Sequence, residues 1–297
     1  MMKLTQKFSL GFFFILMIYS CKPNYDPIVV STEDFHLSVD RVIDAMVHDI
    51  FSPPVASRVF VYPNIAAYEI IAQLGLWNEV LKNEIIAQND SMYQSLEKQI
   101  EHLGAIPKAG KNKSINHSLS ALIAHIDLSR QLIFSEDKIK GFRDSLYTKW
   151  ENINPVEFEN SREYGLQVSE FIANWMNNDN YPQTRTMPKF RVDSEDESRW
   201  QPTPPSYMDG LEPHWNKIRP FILDSAAQFK PTPPPSFSME KTSLFYKELQ
   251  EVYDISERIT KKGDESEEIA IAQFWDCNPY VSITRGHLMF AVKKITP

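Results

Sequence analysis

Glycine is scarce in this sequence, nine residues among 297. That scarcity argues against glycine-rich phosphate loops and against turn-dense all-β folds. Cysteine is scarcer still: Cys21 and Cys277 are the two in the chain, so no CxxC metal or redox pair exists. Basic charge is also short, with 31 Lys and Arg against 39 Asp and Glu and a net charge of −8. Nothing is left over to neutralise a phosphate backbone, which excludes a nucleic-acid partner. G-x-S-x-G, P-loop and HExxH patterns are missing, and Glu101-His102 lacks the second His that a zinc helix needs. No stretch alternates apolar and polar residues for long, and no internal repeat appears at solenoid periods.

What is present begins with an address. A short basic start, MMKLTQK, precedes the apolar run FSLGFFFILMIYS. The run has the length of a secretory signal core and is too short for a spanning helix of ~20 residues. It ends at Cys21, with an apolar residue three positions before it and a small one directly before it. This resembles a bacterial lipobox, which implies a signal peptide over 1–20, cleavage before Cys21 and lipid attachment to it. A lipid-anchored mature domain in the cell envelope, outside the cytoplasm, is the expectation. Lipidation of Cys21 leaves Cys277 alone and no intramolecular disulfide.

After a linker over 21–34, helical spacing dominates. Val39, Val42, Ile43, Met46 and Ile50 mark one helix, stopped by Pro53 and Pro54, which can open the next. Pro63 is expected to kink or restart that second helix. Leu119, Leu122, Ile123, Ile126 and Ile133 form a stripe, and Tyr164, Val168, Phe171, Ile172 and Trp175 form the clearest one. Leu244, Leu249, Val252 and Tyr253 suggest a further helix, and Asp264 with Glu267 resembles a capping box before another. The predicted class is all-α, a helical domain over 35–297. From about Asn177 to Phe237 the pattern breaks, and residues 187–237 hold ten of the 20 prolines. Scattered Phe, Tyr and Trp there predict an ordered loop covering the helices.

Chemistry is harder to find. His48 and Asp49 are adjacent and point apart on a helix, so they form no dyad. His117 and His125 stand eight apart, too far for one metal, and no metal or cofactor ligand set is predicted. The acidic run DSEDES at 193–198 reads as a solvated surface. Near the chain's end, Arg285 and His287 in TRGH lie close to Asp276 and Cys277. An oxyanion site needs several converging groups, and here only two appear.

Three stretches together resemble one family. DFHLSVDRVIDAMVHDIFSPPVASRVFVYPNIAAYEII is similar to the opening helices of secreted vanadium-dependent haloperoxidase-like proteins, within the type 2 phosphatidic acid phosphatase superfamily. WQPTPPSYMDGLEPHWNKIRPFILDSAAQFKPTPPPSF resembles the proline-rich segment ahead of their catalytic core. EIAIAQFWDCNPYVSITRGHLMFAVKKITP resembles the helix pair that follows. The resemblance implies a helical bundle that binds vanadate or a phosphoryl group. It implies three motifs too: Lys, six residues, then Arg-Pro; Pro-Ser-Gly-His; and Ser-Arg followed by His. Cationic side chains would neutralise a tetrahedral oxyanion while histidines bind its centre and move a proton.

This sequence departs from those motifs. Its sole Arg-Pro is Arg219-Pro220, with Glu212 seven residues earlier in place of Lys, and Lys217 at the wrong spacing. Pro-Ser-Gly-His is missing, Thr284 stands where Ser would, and His287 follows Arg285 too soon. The expectation is therefore the N-terminal, non-catalytic half of a haloperoxidase-like or phosphatase-like lipoprotein. It has no catalytic or cofactor-binding residue of its own, its partners are the membrane and a missing catalytic half, and vanadate belongs to the intact protein. The rival expectations are a complete lipid-anchored helical protein that binds sugars or peptides, and a pseudoenzyme kept as a scaffold.

Overall fold

The computed structural model describes residues 25–73, 95–96, 100, 102–111, 113–263 and 266–275. Among them every regular element is helical: α1 Thr32–His48, α2 Pro53–Ala72, α3 His117–Arg130, α4 Asp137–Ile153, α5 Pro155–Asn177, the single turn α6 Tyr181–Thr184, α7 Leu244–Lys262 and α8 Glu267–Trp275. A 3₁₀ turn, Trp215–Lys217, interrupts the long proline-rich segment. No helix among the described residues is long and apolar enough to cross a membrane.

Local chemistry sets the helix starts. Ser31 and Asp34 form a reciprocal capping box on α1, with Asp34 N donating to Ser31 Oγ at 3.2 Å and Ser31 N to Asp34 Oδ2 at 3.0 Å. Such a box satisfies two otherwise orphaned backbone donors. Asn116 and Asn154 cap α3 and α5, each accepting at 3.0 Å from the amide three residues on. Pro53 and Pro155 occupy first-turn positions, where the missing N–H costs nothing. Helix α2 runs through Pro63 without restarting, contrary to the restart allowed by the sequence. In the same turn the Asn64 amide group donates to the Phe60 carbonyl at 2.7 Å.

Helix α3 is the centre of the bundle: ten of its 14 residues are buried. Its Leu119, Leu122, Ile123 and Ile126 pack against α1, the first half of α2, and Trp150 of α4. Its Ala121, Ala124 and Leu128 pack the other way, against Tyr62, Ala66 and Ile70 of α2 and Tyr164, Val168 and Ile172 of α5. A helix apolar all round is one that neighbours enclose. The crossing of α3 and α5 is close. A Cβ on Gly165 would stand 2.6 Å from the Ser120 carbonyl oxygen, and Ser120 Oγ donates to the Ser161 carbonyl at 2.9 Å.

The chain enters the bundle at the starts of α3 and α5. Ile28 N donates to Glu157 Oε2 at 2.8 Å, and Asn116 Nδ2 donates to the Ile28 carbonyl at 2.7 Å. The proline-rich segment lies on the bundle through Trp215 and Phe221, which pack against its core. Phe190, Trp200, Tyr207 and Phe229 are exposed, so the predicted covering is confined to a short strap around residues 212–221.

Candidate functional site

The densest polar constellation among the described residues gathers where α5 ends. Asn180 adopts φ +74°, a left-handed conformation that Asn tolerates better than most residues. This turn directs the preceding Asp179 inward, where it is fully buried. Its Oδ1 accepts from Tyr181 N at 2.8 Å. Its Oδ2 accepts from Arg58 Nε and from Tyr62 Oη, each at 2.8 Å. Arg58 and Tyr62 are four apart on α2 and therefore share one face. Arg58 also donates to the Met176 carbonyl at 3.3 Å, and its guanidinium lies 4.3 Å from the centre of the Tyr181 ring. Burial, reinforced by the Asp179 charge and its hydrogen bond, raises the Tyr62 hydroxyl pKa well above its ordinary value. Tyr62 is thus a donor fixed in its protonated form, not a proton carrier near neutral pH.

The strap closes over this cluster. Arg219 N donates to the Asp179 carbonyl at 2.8 Å. The Arg219 guanidinium donates to the Trp175 carbonyl at 2.8 Å and the Asn178 carbonyl at 3.1 Å, and lies 4.7 Å from the Trp175 ring centre. A cation on the last carbonyls of a helix satisfies acceptors that lack intrahelical partners and opposes the negative end of its dipole. Phe221 packs on Tyr62 and Trp175, with ring centres 5.4 and 5.6 Å away. His102 bridges Trp175 Nε1, at 3.1 Å from its Nδ1, and the Pro220 carbonyl, at 3.2 Å from its Nε2. Trp only donates and a carbonyl only accepts, so this pair of partners fits the tautomer with its proton on Nε2. Glu212, the residue seven before Arg219, pairs with Arg185.

The arrangement is a clasp. Both Asp179 carboxylate oxygens accept hydrogen bonds, the Arg58 charge is neutralised by Asp179, and Arg219 faces carbonyls. A vanadate ion needs uncommitted cations converging on one point, and the clasp residues do not fit it. Sequence reasoning missed Arg58 and Asp179 altogether. Their pairing spans 121 residues, and an Asp within NNDN reads as an ordinary polar turn.

The other residues singled out from the sequence are scattered. Asp49 accepts from Phe134 N at 2.8 Å, from Ser135 N at 3.0 Å and from Ser135 Oγ. Burial opposes its charge, but these hydrogen bonds outweigh that and hold its pKa below the ordinary range. Adjacent His48 ends α1. His117 opens α3 beside Tyr164, with burial lowering its pKa. His125 is buried with Nδ1 2.7 Å from Ser38 Oγ. Asp193 and Asp196 fold back on Arg199 at the surface. Among the described residues no three His, Cys, Asp or Glu side chains are grouped to hold a metal ion. Cys21, Glu101, Asp264, Asp276, Cys277, Thr284, Arg285 and His287 lie outside the described residues.

Among the described residues the fold is all-helical, and the densest polar cluster is structural. The solved structure of a bacterial vanadium-dependent iodoperoxidase is similar to this chain, with 57% sequence identity and a TM-score of 0.77. The chain is thus a relative of the vanadium-dependent haloperoxidases. The similarity covers 89% of this chain and 59% of the iodoperoxidase chain, so this chain spans about three fifths of that protein's length. No family model and no curated protein matches the chain.

Proposed function

We propose that this chain is the N-terminal, non-catalytic scaffold half of a vanadium-dependent haloperoxidase-like lipoprotein and has no turnover by itself. The observation that carries this reading is the fate of Arg219-Pro220, the sole Arg-Pro in the sequence. Its guanidinium is committed to the Trp175 and Asn178 carbonyls, where it caps α5. None of the three oxyanion motifs stands in the sequence, and the relative it resembles is longer than the matched part. Vanadate chemistry would then belong to a further polypeptide segment, which this scaffold supports. The iodoperoxidase relative favours halide oxidation by peroxide over phosphate ester hydrolysis for the assembled protein.

The lipid anchor belongs to the same reading. Residues 26–28 are tied to Asn154, Glu157 and Asn116. Asp26 stands five positions after Cys21, a reach of at most about 18 Å. Lipid on Cys21 would hold this end of the bundle against a membrane surface outside the cytoplasm. Radiolabelled palmitate should enter the full chain expressed in a bacterium and fail to enter Cys21→Ala.

The functional test is direct. Protein comprising residues 21–297, supplied with vanadate, peroxide and iodide or bromide, or with a phosphomonoester, should show no turnover above a protein-free blank. Vanadate-dependent turnover at any rate that scales with protein concentration would falsify the scaffold reading. A sugar- or peptide-binding protein is the second reading, favoured by one feature. Exposed Phe190 and Trp200 meet edge to face at 5.6 Å, and Phe190 borders a cavity of about 270 Å³. Saturable binding of a soluble glycan or peptide, abolished by Trp200→Ala, would promote it.

A further inference from the structure

We propose that an acyl chain attached to Cys21 seats in an apolar pocket between the start of α1, the second half of α2 and the first turns of α3. The inference rests on the lipid anchor proposed above and gives one of its chains a binding site on the protein. The pocket is a cavity of about 370 Å³, within the size range of small-ligand sites. Small side chains leave the space. Ala67 of α2 and Ala121 of α3 line it together with Leu122, and all three are buried. Phe35 and Tyr68 are its half-buried aromatic walls.

The lining changes character from floor to rim. Ser31, Thr32 and Ser118, each with a hydroxyl, are the exposed members. Among the described residues that line the pocket, none is charged. A ligand that fits is therefore uncharged, apolar along its length and polar at the end that stays by the rim. An acyl chain in ester or amide linkage has that chemistry. A free carboxylate or a phosphate ester would bring a charge that nothing in the lining offsets.

Position selects the source of the chain. Ile28 is held at the starts of α3 and α5 by Asn116 and Glu157. Val30, two residues on, already lines the pocket, as does Ser118, two residues after Asn116. Cys21 stands nine positions before Val30, a reach of at most about 32 Å. A lipid on Cys21 is thus tethered beside the rim. Tethering makes insertion an intramolecular event with a high effective concentration, and no other acyl chain has that advantage.

The test feeds a bacterium expressing the full chain a palmitate analogue with a photoactivatable diazirine near its tail. After irradiation and tryptic digestion, mass spectrometry should find the peptide that begins at Cys21 joined to the peptide holding Ala67 or Ala121. Ala67→Phe fills the pocket and should lower the joined species at least fivefold, with labelling of Cys21 unchanged and a cooperative urea transition retained. Ser118→Trp, at an exposed rim position that leaves the core intact, should lower it too by blocking the mouth. Labelled Cys21 joined to phospholipid and to no pocket peptide overturns the proposal, as does a joined yield that neither variant lowers. Pocket peptides labelled equally in Cys21→Ala would assign the pocket to a lipid from the membrane and overturn the tethered occupant. A chain that takes up no label ends the lipid-anchor reading and the occupant with it. In each of the other failures Cys21 is labelled and the anchor stands.

Discussion

Two parts of this chain are rich in large apolar side chains and meet opposite fates. Over 32–177, four large apolar side chains among the described residues are exposed; over 186–275, eighteen are. Helix α3 and helix α7 show the contrast most sharply. The first is enclosed on all sides, and the second keeps its Leu and Val in water. Amphipathic spacing thus reports what a helix is suited to pack against, not whether a partner is present. The clasp at Asp179 marks the border between the two parts, because it ties the last well-buried helix to the strap that leads into the exposed region.

Breaking the border should have the largest effect. Asp179→Ala leaves the Arg58 guanidinium buried without its counter-charge, and losing one member of such a pair costs about 3–5 kcal/mol. Urea denaturation should show the loss, and the released strap should become sensitive to protease around residues 212–221. A shift below about 1 kcal/mol would mean that water reaches Arg58 and that the clasp is not a buried one.

A matched pair of truncations separates the two regions themselves. Leu122→Ala empties space in the centre of the bundle, where Leu122 is fully buried, and should cost about 2–5 kcal/mol. Leu249→Ala removes the same atoms from an exposed face and should fall within about 0.5 kcal/mol of wild type. Comparable costs at the two sites would erase the contrast.

Acid offers a milder probe confined to the bundle. Burial pushes the His125 imidazole down to about 3, against an ordinary value near 6.5. The unfolded chain therefore binds this proton more readily than the folded protein. Stability is fully present above about pH 6.5 and drains away as pH falls toward 3. At pH 5 the loss amounts to about 2 kcal/mol. His125→Gln should flatten this part of the pH profile, measured by denaturant midpoint between pH 7 and pH 5, even though it lowers stability at pH 7.

Much of the bundle is legible in the sequence because its signals are local. The stripes at Leu119–Ile126 and Tyr164–Trp175 and the opening Pro53 each act within a few residues. Helix α4 carries the same signal in Ile139, Leu146 and Trp150, but its many charged residues mask it and the sequence reading passes over it. Pro63 is expected to kink or restart α2 by its own chemistry, yet the helix continues through it where α2 packs against α3 and α5. The clasp is illegible for a different reason. Arg58, Asp179 and Arg219 come from three distant segments, and nothing near any of them announces the other two. Arg219-Pro220 invites comparison with an oxyanion motif, and only the fold shows it capping a helix.

Native-state hydrogen exchange on the full chain tests the division between the two regions most directly. Amides of α3 and α5 should exchange only through global unfolding, while those of α7 and α8 should exchange through local opening with far smaller protection. Protection of α7 equal to that of α3 would contradict the account, because it would show that α7 is packed as firmly as the centre of the bundle.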